Sequence, residues 1–331
     1  MTKKLLPAMI GVALAGGMSA AAADVSVFGH LDTAIVNFDN GGSGPGSDDT
    51  NFVCTTCSVG FKGSEDLGNG LKAIFSLDFE FDTINRNSNG SITDRDQWVG
   101  LAGGFGKVRV GTISTVYKSH GAMIDPLYRT ALQGRTHGLQ SSLHSGAGEE
   151  IEGRADNTVR WDSADFNGIK LGAHYTLDSN ETDGEDDNPY GIGASYSNGG
   201  ILGFVDYLTT DGSVATANDE SAWKIGGMYT MNDFAIMGQY EDGEVNNAES
   251  TQWHVGGSYT MGNNKIYAAY GNSEDENAAG TTIADVDAWT IALIHSMSKR
   301  TSAYVGYNNQ EDDIALGIDR DEFALGVKHK F

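Results

Sequence analysis

Apolar and polar side chains alternate with a period of two along many segments of the chain. From Leu71 to Asp82 the odd-numbered positions are leucine, alanine or phenylalanine, and every even-numbered position except one is polar. The same alternation runs through residues 169–178, 223–231 and 253–261. Because successive side chains of a strand point to opposite faces, each segment predicts a β-strand with one apolar face. A soluble β-sandwich alternates in the same way, so the period alone does not decide the architecture.

The connections between these strands alternate in length, and this pattern separates the two architectures. The short turns are rich in Gly and Asn, whereas the long connections are acidic. The short turns lie at 68–70, 104–106, 232–233 and 262–264, and the long connections at 39–51, 179–188, 274–285 and 311–321. Short turns at one end and long loops at the other are typical of outer-membrane barrels.

The number of strands defines the predicted fold. Placing strands between the connections predicts sixteen, from residues 25–37 to residues 322–331, and an even number suits a single-chain barrel. Barrels of about 16 strands enclose an aqueous channel. The predicted fold class is therefore all-β, a 16-stranded antiparallel transmembrane β-barrel.

The last strand ends on an aromatic residue, Phe331, which shares a face with Phe323, Leu325 and Val327. An unpaired edge of this kind invites aggregation, so we expect the strand to close the barrel against the first strand. Aromatic side chains on the outer face would form the girdles at the two membrane interfaces. The candidates are Trp98, Trp161, Trp253, Trp289, Tyr259 and Phe331.

The first 23 residues have the pattern of a cleaved secretory signal peptide. Lys3 and Lys4 precede an apolar stretch, and three alanines precede Asp24. We therefore predict a signal peptide over 1–23 and a barrel domain over 24–331. Removal of the two lysines lowers the net charge from −24 to about −26. A balance this acidic argues against a nucleic-acid partner and suits a lumen and loops that attract cations.

One connection is far longer than the others. Almost forty residues separate the strand at 107–115 from the strand that begins near Arg154. Loops of this length without regular structure are usually functional or disordered. In a hollow barrel the loop can fold inward and narrow the channel; the alternative is an external surface loop. We predict an inward-folded long third loop.

Cys54 and Cys57 are the two cysteines of the chain. A disulfide is the default in an exported protein. In an extended strand their Cα atoms would lie about 10 Å apart, beyond the limit of about 7 Å for bridging. A disulfide therefore requires a turn at this position, and free thiols are the alternative.

The sequence offers no motif for enzyme or metal chemistry. Neither His-Glu-x-x-His nor Gly-x-Ser-x-Gly occurs, so hydrolase templates fail. The acidic run 183–187 could hold divalent cations weakly through its carboxylates, but it lacks the full calcium-loop pattern. A solvated acidic loop is the favoured interpretation. No enzyme activity, cofactor or structural metal is predicted.

Several motifs closely resemble the Gram-negative general diffusion porins. Residues 58–73 resemble the second strand, the turn and the third strand of that family, and residues 96–108 its fourth strand and turn. Residues 154–161 resemble the strand after the long loop, and residues 326–331 the terminal strand. The resemblance covers essentially the whole mature chain. It implies a homotrimeric outer-membrane porin whose water-filled channels pass ions and small hydrophilic solutes.

The resemblance also implies a constriction in which basic wall residues face acidic residues on the third loop. The arginine expected before Val59 is Ser58 here, so part of the basic row is missing. Six residues are assigned to the constriction or the lumen: Arg95, Arg154, His30, Lys62, Asp78 and Asp125. With few wall arginines and acidic loops, we predict a preference for cations.

The resemblance extends to partners and to alternative functions. Phe331 corresponds to the signal read by the outer-membrane barrel assembly machinery. Outer-membrane lipid and lipopolysaccharide are the expected surroundings. A substrate-selective porin, or a barrel that serves mainly as a surface adhesin, is the alternative function.

Overall fold

A computed structural model describes residues 24–40, 48–84, 92–148, 152–177, 188–210, 220–245, 248–314 and 319–331 of the chain. The predicted signal peptide lies outside these residues. The strands are β1 Asp24–Asp39, β2 Asp48–Cys54, β3 Ser58–Gly68, β4 Leu71–Glu80, β5 Thr93–Gly103, β6 Gly106–Ser114, β7 Arg154–Asp162, β8 Ile169–Thr176, β9 Tyr190–Asn198, β10 Ile201–Thr210, β11 Glu220–Met231, β12 Phe234–Val245, β13 Ala248–Met261, β14 Asn264–Asn277, β15 Thr282–Ser296, β16 Thr301–Asp312 and β17 Arg320–Lys330. One helix, α1 Val116–Gly121, and two 3-10 turns, Gly134–Thr136 and Ser142–His144, lie between β6 and β7.

The sheet closes on itself. Each strand pairs antiparallel with its neighbours, and β17 pairs with β1 from His30↔Lys330 to Asp39↔Asp321. On its other side β1 pairs with β2 through one half of its length and with β3 through the other half. β2 and β3 therefore occupy one strand position of the barrel, which we call a stave. The seventeen strands of the described residues thus make sixteen staves. The predicted 16-stranded antiparallel barrel is confirmed.

The break between β2 and β3 contains the two cysteines. Thr55 and Thr56 form a turn there, and Thr56 adopts the left-handed conformation with φ +51°. In the structure a disulfide joins Cys54 to Cys57, whose Cα atoms lie 5.8 Å apart. The turn brings the two Cα atoms within bridging distance, which an extended strand would not allow.

The two faces of the barrel differ in polarity. Large apolar side chains such as Ile225 and Val205 are about half exposed on the outer face, while their neighbours Lys224 and Asp206 are buried inside. The apolar cluster that the barrel does enclose lies around the connection between β6 and β7. It contains Ile124, Leu127, Leu132, Leu139, Tyr267 and Tyr304. In the described part of the chain, no helix is long and apolar enough to cross a membrane.

One aromatic residue departs from the predicted girdle. Trp98 pairs with Ser76, which is buried on the lumen side, and the Arg109 guanidinium lies 5.1 Å from the centre of the indole ring. The next residue, Val99, is the one on the outer face, where it is 61% exposed. Trp98 therefore faces the lumen, and its placement in the outer girdle was wrong.

Candidate functional site

The connection between β6 and β7, residues 115–153, is compact and is called the third loop below. It begins with the α1 turn, where the Thr115 hydroxyl accepts a hydrogen bond from the Lys118 backbone N–H at 3.2 Å. Such a cap satisfies an N–H of the first helical turn that has no partner within the helix. Further along, Asp125 accepts hydrogen bonds from the Leu127 N–H at 2.8 Å and the Gly134 N–H at 2.9 Å.

The third loop packs against lumen-facing side chains of distant strands. The Tyr304 hydroxyl accepts a hydrogen bond from the Ala131 N–H at 3.1 Å. Side-chain amides of Asn308 and Gln252 donate to loop carbonyls at 3.2 and 2.9 Å, and Lys328 donates to the Tyr128 carbonyl. These contacts place the loop against the inner surface of β13, β16 and β17.

A cluster of buried polar side chains holds the other part of the third loop to strands β10–β12. We call it the loop anchor. It consists of Asp206, Lys224 and Glu241 from the wall and Tyr117, His120, Ser141 and His144 from the loop.

The basic centre of the loop anchor is Lys224, whose side chain is fully buried. Its Nζ atom lies 3.7 Å from Asp206 Oδ2 and 2.8 Å from His144 Nε2. His120 Nδ1 lies 2.7 Å from the other oxygen of Asp206. Burial and the adjacent Lys224 charge hold the pKa of His144 well below its usual value, so His144 is neutral and can accept from Lys224.

The acidic end of the loop anchor is Glu241. Its Oε2 atom accepts hydrogen bonds from the Tyr117 hydroxyl at 2.7 Å and the Ser141 hydroxyl at 2.6 Å. Burial, together with the Glu241 charge, raises the pKa of Tyr117 well above its usual value, so the phenol keeps its proton as the donor. Glu241 is thus satisfied by donors of the third loop, as a buried charge requires, whereas Asp206 Oδ2 has no hydrogen-bond partner and faces Lys224 at 3.7 Å.

The two arginines predicted for the constriction lie on the wall, and carboxylates neutralise both. Arg95 on β5 lies 3.1 Å from Asp78 on β4 and also contacts Glu80. Arg154 at the start of β7 lies 2.9 Å from Asp96. Of the residues predicted for the site, Arg95 and Asp78 are therefore brought together as an ion pair.

The third loop supplies a guanidinium at the position where the wall lacks one. Arg129 donates to the Ser58 hydroxyl at 2.9 Å and to the Thr56 carbonyl at 2.6 Å. Its own carbonyl lies 3.0 Å from Nε2 of His30. Burial and the nearby Arg95 charge lower the pKa of Arg129 to about 10, so it is cationic at neutral pH.

Two further basic side chains of the third loop point to the same region. Arg135 donates to the Gln133 amide oxygen at 3.0 Å and stacks over Tyr128 at 5.1 Å. Lys118 is buried, and this burial together with the Arg154 and Arg135 charges lowers its pKa to about 6. Among the described residues, neither these two nor Arg129 forms an ion pair with a carboxylate. We call Arg129 and Arg135 the loop arginines.

Two predicted lumen residues lie away from this cluster. Asp125 was expected to face the wall arginines, but its carboxylate accepts hydrogen bonds from the backbone of its own loop, because the loop turns back at this point. Lys62 faces the lumen but lies four positions along β3 from Ser58, roughly 13 Å away. Its Nζ atom lies 5.1 Å from the ring of Phe28.

Sequence reasoning missed the loop arginines and the loop anchor. The available signal was the presence of basic residues in the one long loop of a strongly acidic chain. For the anchor, the signal was Lys224 and Glu241, two charges at inward-facing positions of adjacent alternating strands. Neither signal predicts which wall residues contact the third loop.

The fold and the site define a closed transmembrane β-barrel with a charged interior. The sequence profile described as Gram-negative porin matches residues 8–315, and the chain belongs to this family. It is 33% identical over 205 residues to the major outer membrane protein P.IB of Neisseria meningitidis, a match covering 60% of this chain and 57% of that protein. It is also 33% identical over 227 residues to outer membrane porin protein 32 of Delftia acidovorans, covering 66% and 64%.

The fold is likewise similar to that of a solved porin. An anion-selective porin from Comamonas acidovorans superposes with a TM-score of 0.79 at 20% identity, covering 93% of this chain and 100% of that one. The matching family and the Delftia acidovorans relative are described as porins, and these matches indicate no enzyme family. Family and fold together place this protein in the outer membrane of Gram-negative bacteria.

Proposed function

We propose that this protein is a porin that forms a water-filled channel for passive diffusion of ions and small hydrophilic solutes. The observation that carries the proposal is the closed sixteen-stave barrel whose inward positions are polar or charged while its outer positions are apolar. A barrel of this size is wide enough for an aqueous channel. The third loop packs against the inner wall and would narrow that channel.

The constriction is proposed to lie between the third loop and the wall strands β3–β7. The loop arginines contribute positive charges there, whereas Arg95 and Arg154 are paired with carboxylates. Field lines focus between low-dielectric walls. The unpaired cations of the loop are therefore expected to act on every ion that passes.

Ion preference is the finer part of the proposal, and two sets of charges oppose each other. The preference for cations predicted from the sequence stays a prediction, supported by acidic side chains at the loop ends of the strands, such as Glu274, Asp275 and Glu276 on β14. The loop arginines favour the opposite sign. The Comamonas acidovorans porin of similar fold is described as anion-selective.

The salt concentration determines which of the two sets of charges sets the ion preference, because salt screens exposed charges more strongly than buried ones. The Debye length is about 30 Å at 0.01 M and about 3 Å at 1 M. Acids at a water-filled mouth act at low salt and are screened at high salt, whereas charges in the narrow lumen are screened less. We therefore expect a cation preference at low salt that shifts towards anions at high salt.

Reversal potentials of the purified protein in planar bilayers test this proposal, in tenfold KCl gradients of 0.01 to 0.1 M and 0.1 to 1 M. The shift towards anions should disappear in the Arg129→Gln/Arg135→Gln variant. It should persist in Lys72→Gln/Lys265→Gln, which removes two lysines near the short turns instead. Absence of current from folded protein would refute the channel, and equal loss of the shift in both variants would refute the role of the loop arginines.

The outer surface supports the proposed homotrimer. Strands β7–β16 each carry at least one outward-facing Trp or Tyr, and four ring contacts of 5.3–6.4 Å link neighbouring strands along this belt. Strands β1–β6 and β17 contain one Trp or Tyr, the lumen-facing Trp98. Such residues line membrane interfaces. The sector without them is therefore proposed to face the other copies.

The remaining expectations stay proposals. Saturable block of the current by one solute would favour a substrate-selective porin, and cell binding without ion current would favour an adhesin. Lipopolysaccharide and the barrel assembly machinery, acting through Phe331, are the proposed partners. In the described residues no group of three or more His, Cys, Asp or Glu could hold a metal ion. The acidic run 183–187, proposed for weak divalent cations, lies outside the described residues.

A further inference from the structure

A cavity of about 190 Å³ lies between the third loop and the wall strands β15–β17. It is bounded by Thr130 of the loop and by the short turn that joins β15 to β16. Short turns of outer-membrane barrels lie at the periplasmic end. The cavity is therefore on the periplasmic side of the third loop, away from the wall arginines.

The charge of this cavity is unusual for so acidic a chain. Among its described lining residues none is acidic. Four are basic, namely Lys299, Arg300, Lys328 and Lys330. The other polar lining groups are mainly hydroxyls, including Ser302 and Thr130. The lining therefore offers three lysine ammonium groups, one arginine guanidinium and several hydroxyl donors. Groups of these kinds bind oxyanions in proteins.

The backbone holds the basic turn in place. The Met297 N–H donates to the Thr301 carbonyl at 2.9 Å, and the Ser298 hydroxyl accepts from the Arg300 and Thr301 N–H groups at 3.2 and 3.0 Å. The Lys330 N–H donates to the Arg300 carbonyl at 2.8 Å, which ties β17 to the turn. Lys299 and Arg300 are therefore held on a closed hairpin, and Lys328 and Lys330 on the neighbouring strand β17.

Two carboxylates, those of Asp32 and Asp125, act on the charge of Lys328 from outside the cavity, and Asp32 lies opposite Lys328 in the pairing of β1 with β17. Asp32 accepts a hydrogen bond from the Tyr304 hydroxyl at 2.9 Å, and Asp125 accepts two from the backbone of the third loop. Neither lines the cavity. Lys328 spends one of its donors on the Tyr128 carbonyl, which leaves its charge without a carboxylate among the lining residues.

We propose that this cavity is a binding site for a small oxyanion carrying more than one negative charge, of the size of inorganic phosphate. The inference deepens the proposed function, on which it rests, because the ligand would reach the site through the lumen. An anion that has passed the loop arginines would pause here before it enters the periplasm.

Calorimetric titration of the detergent-purified protein with inorganic phosphate, in a low-salt buffer at neutral pH, tests the site without requiring current. Wild-type protein is expected to bind phosphate at one site per chain. The Lys299→Gln/Arg300→Gln variant removes two exposed turn residues with little risk to folding and should weaken binding by about tenfold. The matched control Lys72→Gln/Lys107→Gln removes two exposed lysines near other short turns, away from the cavity, and should leave binding unchanged.

Each outcome bears on the site alone. No phosphate binding by the folded wild type, or equal weakening in the turn variant and its control, would overturn the proposal. Conductance measured on the same samples keeps the two proposals separate. A conducting protein that does not bind phosphate loses the site and keeps the channel, whereas a protein that binds but does not conduct loses the channel.

Discussion

At the scale of single residues, the closure of the barrel depends on a glycine facing an aromatic ring. Gly29 and Phe331 exchange two backbone hydrogen bonds of 3.1 Å, donating and accepting in turn. The Phe331 ring covers Gly29 so closely that a Cβ atom placed there would lie 2.1 Å from it. The terminal ring therefore needs the absence of a side chain on β1.

We predict that Gly29→Ala displaces Phe331 and weakens closure between β1 and β17. The expected result is a lower unfolding temperature and a lower yield of folded barrel, measured by heat-dependent gel mobility. Gly203→Ala is the matched control, because Gly203 also lies within a strand but has no atom within 4 Å of an added Cβ. Equal behaviour of the two variants would contradict this role for Gly29.

At the scale of elements, the third loop is held by polar contacts as well as by its apolar cluster. The loop anchor buries Lys224 between Asp206 and the loop residue His144. Removing one partner of a buried ion pair costs about 3–5 kcal/mol, since the other charge is left without its counter-charge. The position of the loop is therefore tied to the charges of β10–β12.

Loss of the anchor is expected to free the third loop for proteolysis. In Lys224→Met, trypsin should cleave after Arg129 or Arg135 at least about tenfold faster than in the wild type, because the loop detaches more often. Lys265→Met, a lysine outside the anchor, should keep the wild-type rate. If the Lys224 variant folds poorly, Glu241→Gln tests the same contacts more gently. A cleavage rate unchanged in both anchor variants would show that the apolar cluster alone holds the loop.

At the scale of the whole molecule, the barrel wall has two chemically different sectors. The aromatic belt spans β7–β16, whereas β17 and β1–β6 present aliphatic and Phe side chains. Val99 on β5 and Ile225 on β11 are exposed to 61% and 55% in the single chain. The two positions therefore have matched exposure and differ in the surroundings that we propose.

A charge placed in each sector should have different consequences. Val99→Arg is expected to abolish the trimer on non-denaturing gels, because it places an unpaired charge between copies. Ile225→Arg should keep the trimer and lower barrel stability by about 2–4 kcal/mol, the cost of arginine on a lipid-facing wall. A trimer that survives Val99→Arg and is lost in Ile225→Arg would reverse the assignment of the sectors.

The strands could be predicted closely, and the site only in part. The alternation of residues 71–82 is a local property of the sequence. It predicts a strand reliably because each strand of the barrel has one face towards lipid and the other towards water. Trp98 was misplaced because Trp98 and Val99 are adjacent and both apolar, so hydrophobicity alone does not say which one faces outward. Arg95 and Asp78 were predicted through the resemblance to the porin family. Their pairing follows from their inward positions on the neighbouring strands β4 and β5.

The sequence by itself determined the barrel, its strand number and its place in the outer membrane, because these follow from the two-residue period and the lengths of the connections. Only the tertiary structure decided where the third loop lies. Arg129 and Ser58, 71 positions apart in the chain, meet because a folded loop reaches the wall. No local pattern encodes that contact, since it depends on packing between the loop and eight or more strands at once.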